Sequence, residues 1–177
     1  MKRHLLLLLL VAGCTATPVA TPPDTVSRTP TTTTTVATTS PRIDTPRKLP
    51  ADPCLLLTAA DFDTPLSDTP QPYPNMPRSC VFREGSGAET DLIVLVVFAD
   101  AYVRPADTME MLVGDGHSAA SSCVTGSGVV ECTTLVAVNA TESFKVIAHL
   151  RNGNPDQVAS LSQGYAKSAF KRVLVTS

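Results

Sequence analysis

The segment SAASSCVTGSGVVECTTLVAV, residues 118–138, has the pattern of two strands joined by a tight turn. Threonine, cysteine and aliphatic residues lie on both sides of Ser127-Gly128, a pair that suits a two-residue hairpin turn. Counting outward from this turn puts Cys123 opposite Cys132 at a non-hydrogen-bonded position. The Cα atoms at such a position are about 4.5 Å apart, a distance that a disulfide accepts. We therefore predict a cross-strand disulfide in this hairpin.

The hairpin belongs to a predicted antiparallel sheet of about five strands. The strands are expected at residues 80–83, 90–100, 118–125, 129–138 and 142–150. The second strand is apolar at every position from Leu92 to Phe98, which predicts a central strand that is covered on both faces. In the last strand Phe144 faces one side, and Lys145 and His149 face the other.

Three helices are expected to pack on the sheet, which gives an α+β fold. A short N-terminal helix begins at Pro53. A short mid-chain helix is predicted in RPADTMEMLVGDG, residues 104–116, because apolar residues follow Pro105 at helical spacing. The C-terminal helix begins with Asn154 as its N-cap and Pro155 at its first position, and it carries an apolar stripe that suits the sheet.

The N-terminus, MKRHLLLLLLVAGC, has the pattern of a signal peptide over residues 1–13. A basic start precedes an apolar run that is too short for a transmembrane helix. The order Val-Ala-Gly-Cys resembles the lipobox of bacterial lipoproteins, in which the cysteine is acylated after cleavage. Cys14 is therefore the predicted lipidation site, and an odd count of five cysteines is explained. The alternative is an ordinary secretory signal with a chance cysteine.

Residues 15–50 differ sharply in composition from the rest of the chain. They contain 13 Thr and 7 Pro and few large apolar side chains, so burial cannot offset the entropy of ordering them. We expect a lipidated Cys14 and a disordered linker over residues 14–50, followed by a globular domain over residues 51–177. An inert stalk is one interpretation of the linker, and a specific recognition role is the other.

Five prolines lie in residues 63–79, between Cys54 and Cys80. A long irregular segment inside a domain is usually functional or disordered. We predict that a Cys54–Cys80 disulfide closes this loop and that the loop stays outside the sheet, because proline removes backbone donors. Tyr73 and Met76 have side chains that suit interfaces, so they are the predicted partner contact. The alternative is that the loop only covers the core.

The sequence carries no sign of a catalytic, cofactor or metal site. The net charge of −2 lacks the basic excess that nucleic-acid binding requires. His117 and His149 are far apart in the chain and have no second ligand at metal-binding spacing. The carboxylates of Asp61 and Asp63 lack the downstream Glu of a calcium loop. We find no serine-nucleophile, zinc-protease or phosphate-loop motif.

The motifs DPCLLLTAADF, residues 52–62, and SCVFR, residues 79–83, resemble those of an uncharacterised family of actinobacterial (mycobacterial-type) lipoproteins. Their domain of unknown function has an Asp-Pro-Cys-x-Leu-Leu helix and a Cys-x-Trp-Arg strand. Phe82 stands where the family usually has Trp. The resemblance implies an α+β fold like that of PsbP-type or Mog-type domains, and it implies no known catalysis.

Two functional hypotheses follow. The first is an exported lipoprotein at the outer face of the cell membrane, whose disulfide-bonded domain is a non-catalytic binding or accessory module. Its acyl chains contact the membrane, and its ligand is an envelope protein or a small apolar molecule. The second is a passive structural or surface-display protein, and an enzyme is a distant third. An exposed apolar cleft favours the first hypothesis, and a closed, evenly charged surface favours the second.

Overall fold

The computed structural model describes residues 40–85, 92–114 and 116–175, which form a mixed α and β fold. The predicted signal peptide, Cys14 and the linker up to residue 39 lie outside the described residues. The strands are β1 (Arg47–Lys48), β2 (Ser79–Glu84), β3 (Leu92–Ala99), β4 (Glu110–Val113), β5 (His117–Gly126), β6 (Val129–Ala137), β7 (Ser143–Arg151) and β8 (Leu174–Val175). The α-helix of this part of the chain is α1 (Pro155–Phe170).

Six strands form one antiparallel sheet in the order β2-β3-β7-β6-β5-β4. The strands β1 and β8 form a separate antiparallel pair. The prediction of about five strands therefore missed β4 and this small pair. The α+β class is confirmed.

The β5–β6 hairpin has the predicted register. Its turn residues Ser127 and Gly128 have φ values of 51° and 74°. Positive φ at both central positions matches the right-handed twist of the strands. Cys123 pairs with Cys132 across the ladder, and the two form a disulfide with a Cα–Cα distance of 4.1 Å. Local turn chemistry therefore determines where this disulfide forms.

The predicted mid-chain helix is wrong, because residues 110–113 form the edge strand β4. Pro105 begins a turn instead, in which the Thr108 hydroxyl donates to the Pro105 carbonyl at 2.7 Å. Met111 and Val113 face the core, whereas Leu112 is exposed, which is the two-residue period of a strand.

One face of the six-stranded sheet is covered by α1. The Asn154 side chain accepts from the Asp156 amide at 2.8 Å, so the predicted N-cap is confirmed. The helix buries its inward face on the sheet, with Val158, Tyr165 and Ala169 in the main core. This packing buries apolar surface and so stabilises the domain.

The predicted N-terminal helix is a single 3-10 turn, Pro53–Leu55, and a second 3-10 turn follows at Ala59–Asp61. The side chain of Asp52 accepts from the Cys54 amide at 2.9 Å and starts the first turn. The Cys54–Cys80 disulfide, with a Cα–Cα distance of 5.1 Å, ties this turn to β2. The two disulfides thus join the pairs that the sequence predicts.

The folded part of the chain includes residues before 51. Composition assigns these residues to the linker, but Leu49 is buried in the main core. The Arg47 amide donates to the Val138 carbonyl at 3.1 Å, and the Ser118 amide donates to the Arg42 carbonyl at 2.8 Å. The boundary between linker and domain therefore lies before residue 42.

The other face of the sheet is only partly covered. Val94 and Val96 of β3 are fully buried in the main core, whereas on the opposite face Leu95 is buried but Ile93 and Val97 are half-exposed. The prediction that both faces of β3 are covered therefore holds fully for one face and partly for the other. Among residues 40–85, 92–114 and 116–175, no helix is both long and apolar enough to cross a membrane.

Candidate functional site

The proline-rich loop 63–79 lies along the free edge of β2. Leu66 and Gln71 form isolated bridges to Glu84 and Val81. The Val81 amide donates to the Gln71 carbonyl at 2.9 Å. The loop forms no strand of the six-stranded sheet, as expected, and it contacts the edge of β2 through these two non-proline positions. Covering an edge strand in this way protects it from pairing with another chain.

Tyr73 and Met76 are half-buried in this loop. The Met76 amide donates to the Tyr73 carbonyl at 3.1 Å, and the Ser79 hydroxyl donates to the Met76 carbonyl at 2.5 Å. Neither side chain belongs to the buried core clusters. The turn therefore holds both residues at the surface, and their predicted role as a partner contact stays a prediction.

The two histidines lie in different environments. His149 is on the open face of the sheet, as predicted, and its Nε2 lies 3.4 Å from a Glu131 carboxylate oxygen. His117 is fully buried. In the described part of the chain, no three His, Cys, Asp or Glu side chains are grouped closely enough to hold a metal ion.

Both ring nitrogens of His117 face backbone carbonyl oxygens. Nδ1 lies 2.9 Å from the Ala137 oxygen, and Nε2 lies 2.9 Å from the Thr45 oxygen. The hydrogen bond from Arg42 lowers the pKa of the nearby Asp44 carboxyl. The His117 ring therefore connects the N-terminal segment to β6.

A second buried tie joins Glu84 to α1. The Glu84 carboxylate accepts from the Thr64 amide at 2.7 Å and from the Tyr165 hydroxyl at 3.1 Å. Burial raises the pKa of Tyr165, and the Glu84 charge raises it further. The phenol therefore stays protonated and donates. Both groups are satisfied by each other and by Thr64, which is typical of a structural network rather than a reactive site.

Asp61 forms an ion pair with Arg172 just after α1, with an N–O distance of 2.9 Å. Burial raises the pKa of Asp61, but hydrogen bonds from the Thr58 amide and hydroxyl and the interaction with Arg172 outweigh it. The net effect is a lowered pKa. This pair fixes the second 3-10 turn against the end of the helix.

A groove of about 330 Å³ lies on the sheet face opposite α1. Its walls combine a loop that follows β3 with side chains of β5, β6 and β7. Its apolar lining includes Ala99, Ala101, Val103 and Leu135. Small-molecule sites are typically concave, mostly apolar and built with a few polar groups, and this volume is near their lower limit. The groove is therefore the candidate functional site.

The loop that forms one wall is held on the sheet by two residues. The Ser143 hydroxyl of β7 donates to the Asp100 carbonyl at 2.6 Å. Tyr102 is buried in a small second cluster with Ala120 and Leu135. Burial raises the pKa of Tyr102, and the Glu110 charge adds to the rise. These anchors mean that the groove is formed before any ligand arrives.

Lys145 is the cation in the groove lining. Across the ladder it pairs with Val97 of β3 and Leu135 of β6, so neither direct neighbour carries a charge. Lys145 is half-buried, and it has no ion-pair partner among residues 40–85, 92–114 and 116–175. Hydroxyl groups of Ser122 and Thr133 also line the groove. The arrangement can hold an apolar group beside an anion.

No protein-family model, curated protein or solved structure matches this chain.

The sequence predicts that Lys145 faces away from the core, but it does not predict the groove. The groove depends on the loop after β3 returning over the sheet, and no local pattern signals that return.

Proposed function

We propose that the chain is an exported lipoprotein whose domain is a non-catalytic binding module at the outer face of the cell membrane. Two disulfides in a small domain support export, because such bonds persist in oxidising compartments. The motif resemblance to actinobacterial lipoproteins with an unassigned domain supports the same reading.

Cys14 is the proposed anchor, and the Thr/Pro-rich segment that follows is the proposed spacer. Each buried CH₂ of an acyl chain contributes about 0.8 kcal/mol, so two or three chains hold a protein at a membrane. Metabolic labelling with a fatty-acid analogue tests the anchor. We expect label on the wild-type chain and none on Cys14→Ser. An unlabelled wild-type chain contradicts the lipoprotein assignment.

The groove on the open sheet face carries the proposal of a binding module. The observation that supports the proposal is an apolar groove that contains Lys145. This lysine is half-buried and has no ion-pair partner among the described residues. The lysine leaves a positive charge in the groove that an anionic ligand can neutralise.

Binding is tested with the mature chain carrying Cys14→Ser and the neutral probe N-phenyl-1-naphthylamine. We expect NMR amide shifts at Ala101, Thr133 and Lys145 and none on the outer face of α1. Shifts spread evenly over the surface, or none, contradict a binding groove and favour the passive display role.

A further inference from the structure

We infer that the ligand of the groove is a small single-chain amphiphile with one carboxylate, and that Lys145 binds this carboxylate. This inference rests on the proposed function and specifies its ligand. It is carried by the charge balance of the open sheet face and by the shape of the groove.

The carboxylates on this side of the sheet already have partners. Asp100 pairs with Arg78 at 3.3 Å, and Glu110 pairs with Arg104 at 3.7 Å. The Glu131 carboxylate is 3.4 Å from His149. Lys145 differs from these groups, because no described carboxylate lies within ion-pair distance of it. We therefore expect the ligand of the groove to carry an anion that pairs with Lys145.

The position of Lys145 determines where an anionic head group binds. Its direct cross-strand neighbours, Val97 and Leu135, are both apolar. A charge-assisted hydrogen bond between an ammonium and a carboxylate is stronger than one between neutral groups. The hydroxyls of Ser122 and Thr133 can donate to the same carboxylate.

The rest of the groove suits a short hydrocarbon chain. Ala99, Ala101, Val103 and Pro105 form an apolar wall without a charged side chain. Val103 is 75% exposed, so a ligand that covers it removes apolar surface from water. The volume of about 330 Å³ fits a small molecule better than a protein segment, which requires a much larger surface.

The test compares octanoate with 1-octanol, which differ only in the charged head group. Both are titrated into the mature chain with Cys14→Ser, and NMR shifts give the site and Kd. We expect octanoate to bind the groove about tenfold more tightly, the size expected of one charge-assisted hydrogen bond. Lys145→Gln should remove this preference without weakening octanol binding, and Lys145→Arg should retain it.

Lys167→Gln is the matched control, because Lys167 is an exposed lysine on α1. It should leave both Kd values unchanged. Equal binding of octanoate and octanol in the groove overturns the carboxylate inference but leaves a binding groove in place. An equal loss of octanoate affinity in Lys145→Gln and Lys167→Gln also overturns the carboxylate inference. If neither compound binds the groove, both the inference and the proposed function fail.

Discussion

The Nε2 atom of His117 lies 2.9 Å from the carbonyl oxygen of Thr45, which is 72 residues earlier in the chain. The other ring nitrogen contacts the Ala137 carbonyl, so one imidazole joins the N-terminal segment to β6. The Phe170 ring of α1 packs against the same imidazole at 4.6 Å between centroids. The junction between linker and domain is therefore held by a buried side chain.

His117→Ala should lower the free energy of unfolding by about 2–4 kcal/mol, because it opens a cavity and removes the ring that contacts both carbonyls. Urea unfolding measures this loss. Amide exchange at Arg47 should also accelerate more than exchange in β3. The control His149→Ala removes a partly exposed pair and should change stability by less than about 1 kcal/mol. Equal effects of the two variants would contradict the claim that His117 holds the N-terminal segment on the domain.

The Asp61–Arg172 pair predicts an acid-sensitive part of the stability. Because the folded-state pKa of Asp61 is lowered, its contribution is present above the unfolded value of about 4 and is lost as pH falls through the folded pKa. Urea unfolding between pH 7 and pH 3 measures this. As pH falls, the free energy of unfolding should decrease less for Asp61→Asn than for the wild type. Asp63→Asn, at a neighbouring exposed carboxylate, should follow the wild-type curve.

The two disulfides should differ in their contribution to stability. The loop-entropy estimate gives about 3.5 kcal/mol for Cys54–Cys80 and about 2.6 kcal/mol for Cys123–Cys132, since the first closes a longer loop. Paired Cys→Ser variants compared by urea unfolding test this order. If removal of Cys123–Cys132 lowers the free energy of unfolding more than removal of Cys54–Cys80, native-state contacts rather than loop length determine how much each disulfide stabilises the domain.

Local signals explain which parts of this fold the sequence predicts. The β5–β6 hairpin follows from its turn and its pairing count, and the start of α1 follows from Asn154 and Pro155. The predicted helix rests on the helical spacing of Met109 and Leu112, whereas the strand β4 places the alternate residues Met111 and Val113 on the core. Only pairing with β5 distinguishes the two.

Other parts depend on contacts between distant residues. Composition places Arg42 and Leu49 in a linker, but hydrogen bonds and burial against β5 and β6 hold them on the domain. The groove likewise requires Tyr102 and Ser143 to hold the loop on the sheet. Neither arrangement has a sequence period or motif that predicts it.

The Tyr73 and Met76 pair is the second candidate contact surface. Replacing both with Ala should shift the melting temperature little, because both are half-buried outside the core. If the loop is a contact surface, recovery of an envelope partner should be lost in this variant and retained in the control Val124→Ala. A variant that melts early yet retains partner binding at low temperature would rule out the contact hypothesis.

The most direct test of the binding module is native mass spectrometry of the mature chain isolated from cell envelopes. We predict that the wild-type protein carries an added non-covalent mass of a small carboxylate amphiphile. Ala101→Trp, which fills the groove, should remove this mass, whereas Lys167→Trp on α1 should retain it. A wild-type chain without added mass, or a mass that Ala101→Trp retains, would contradict the assignment of the groove as the ligand site.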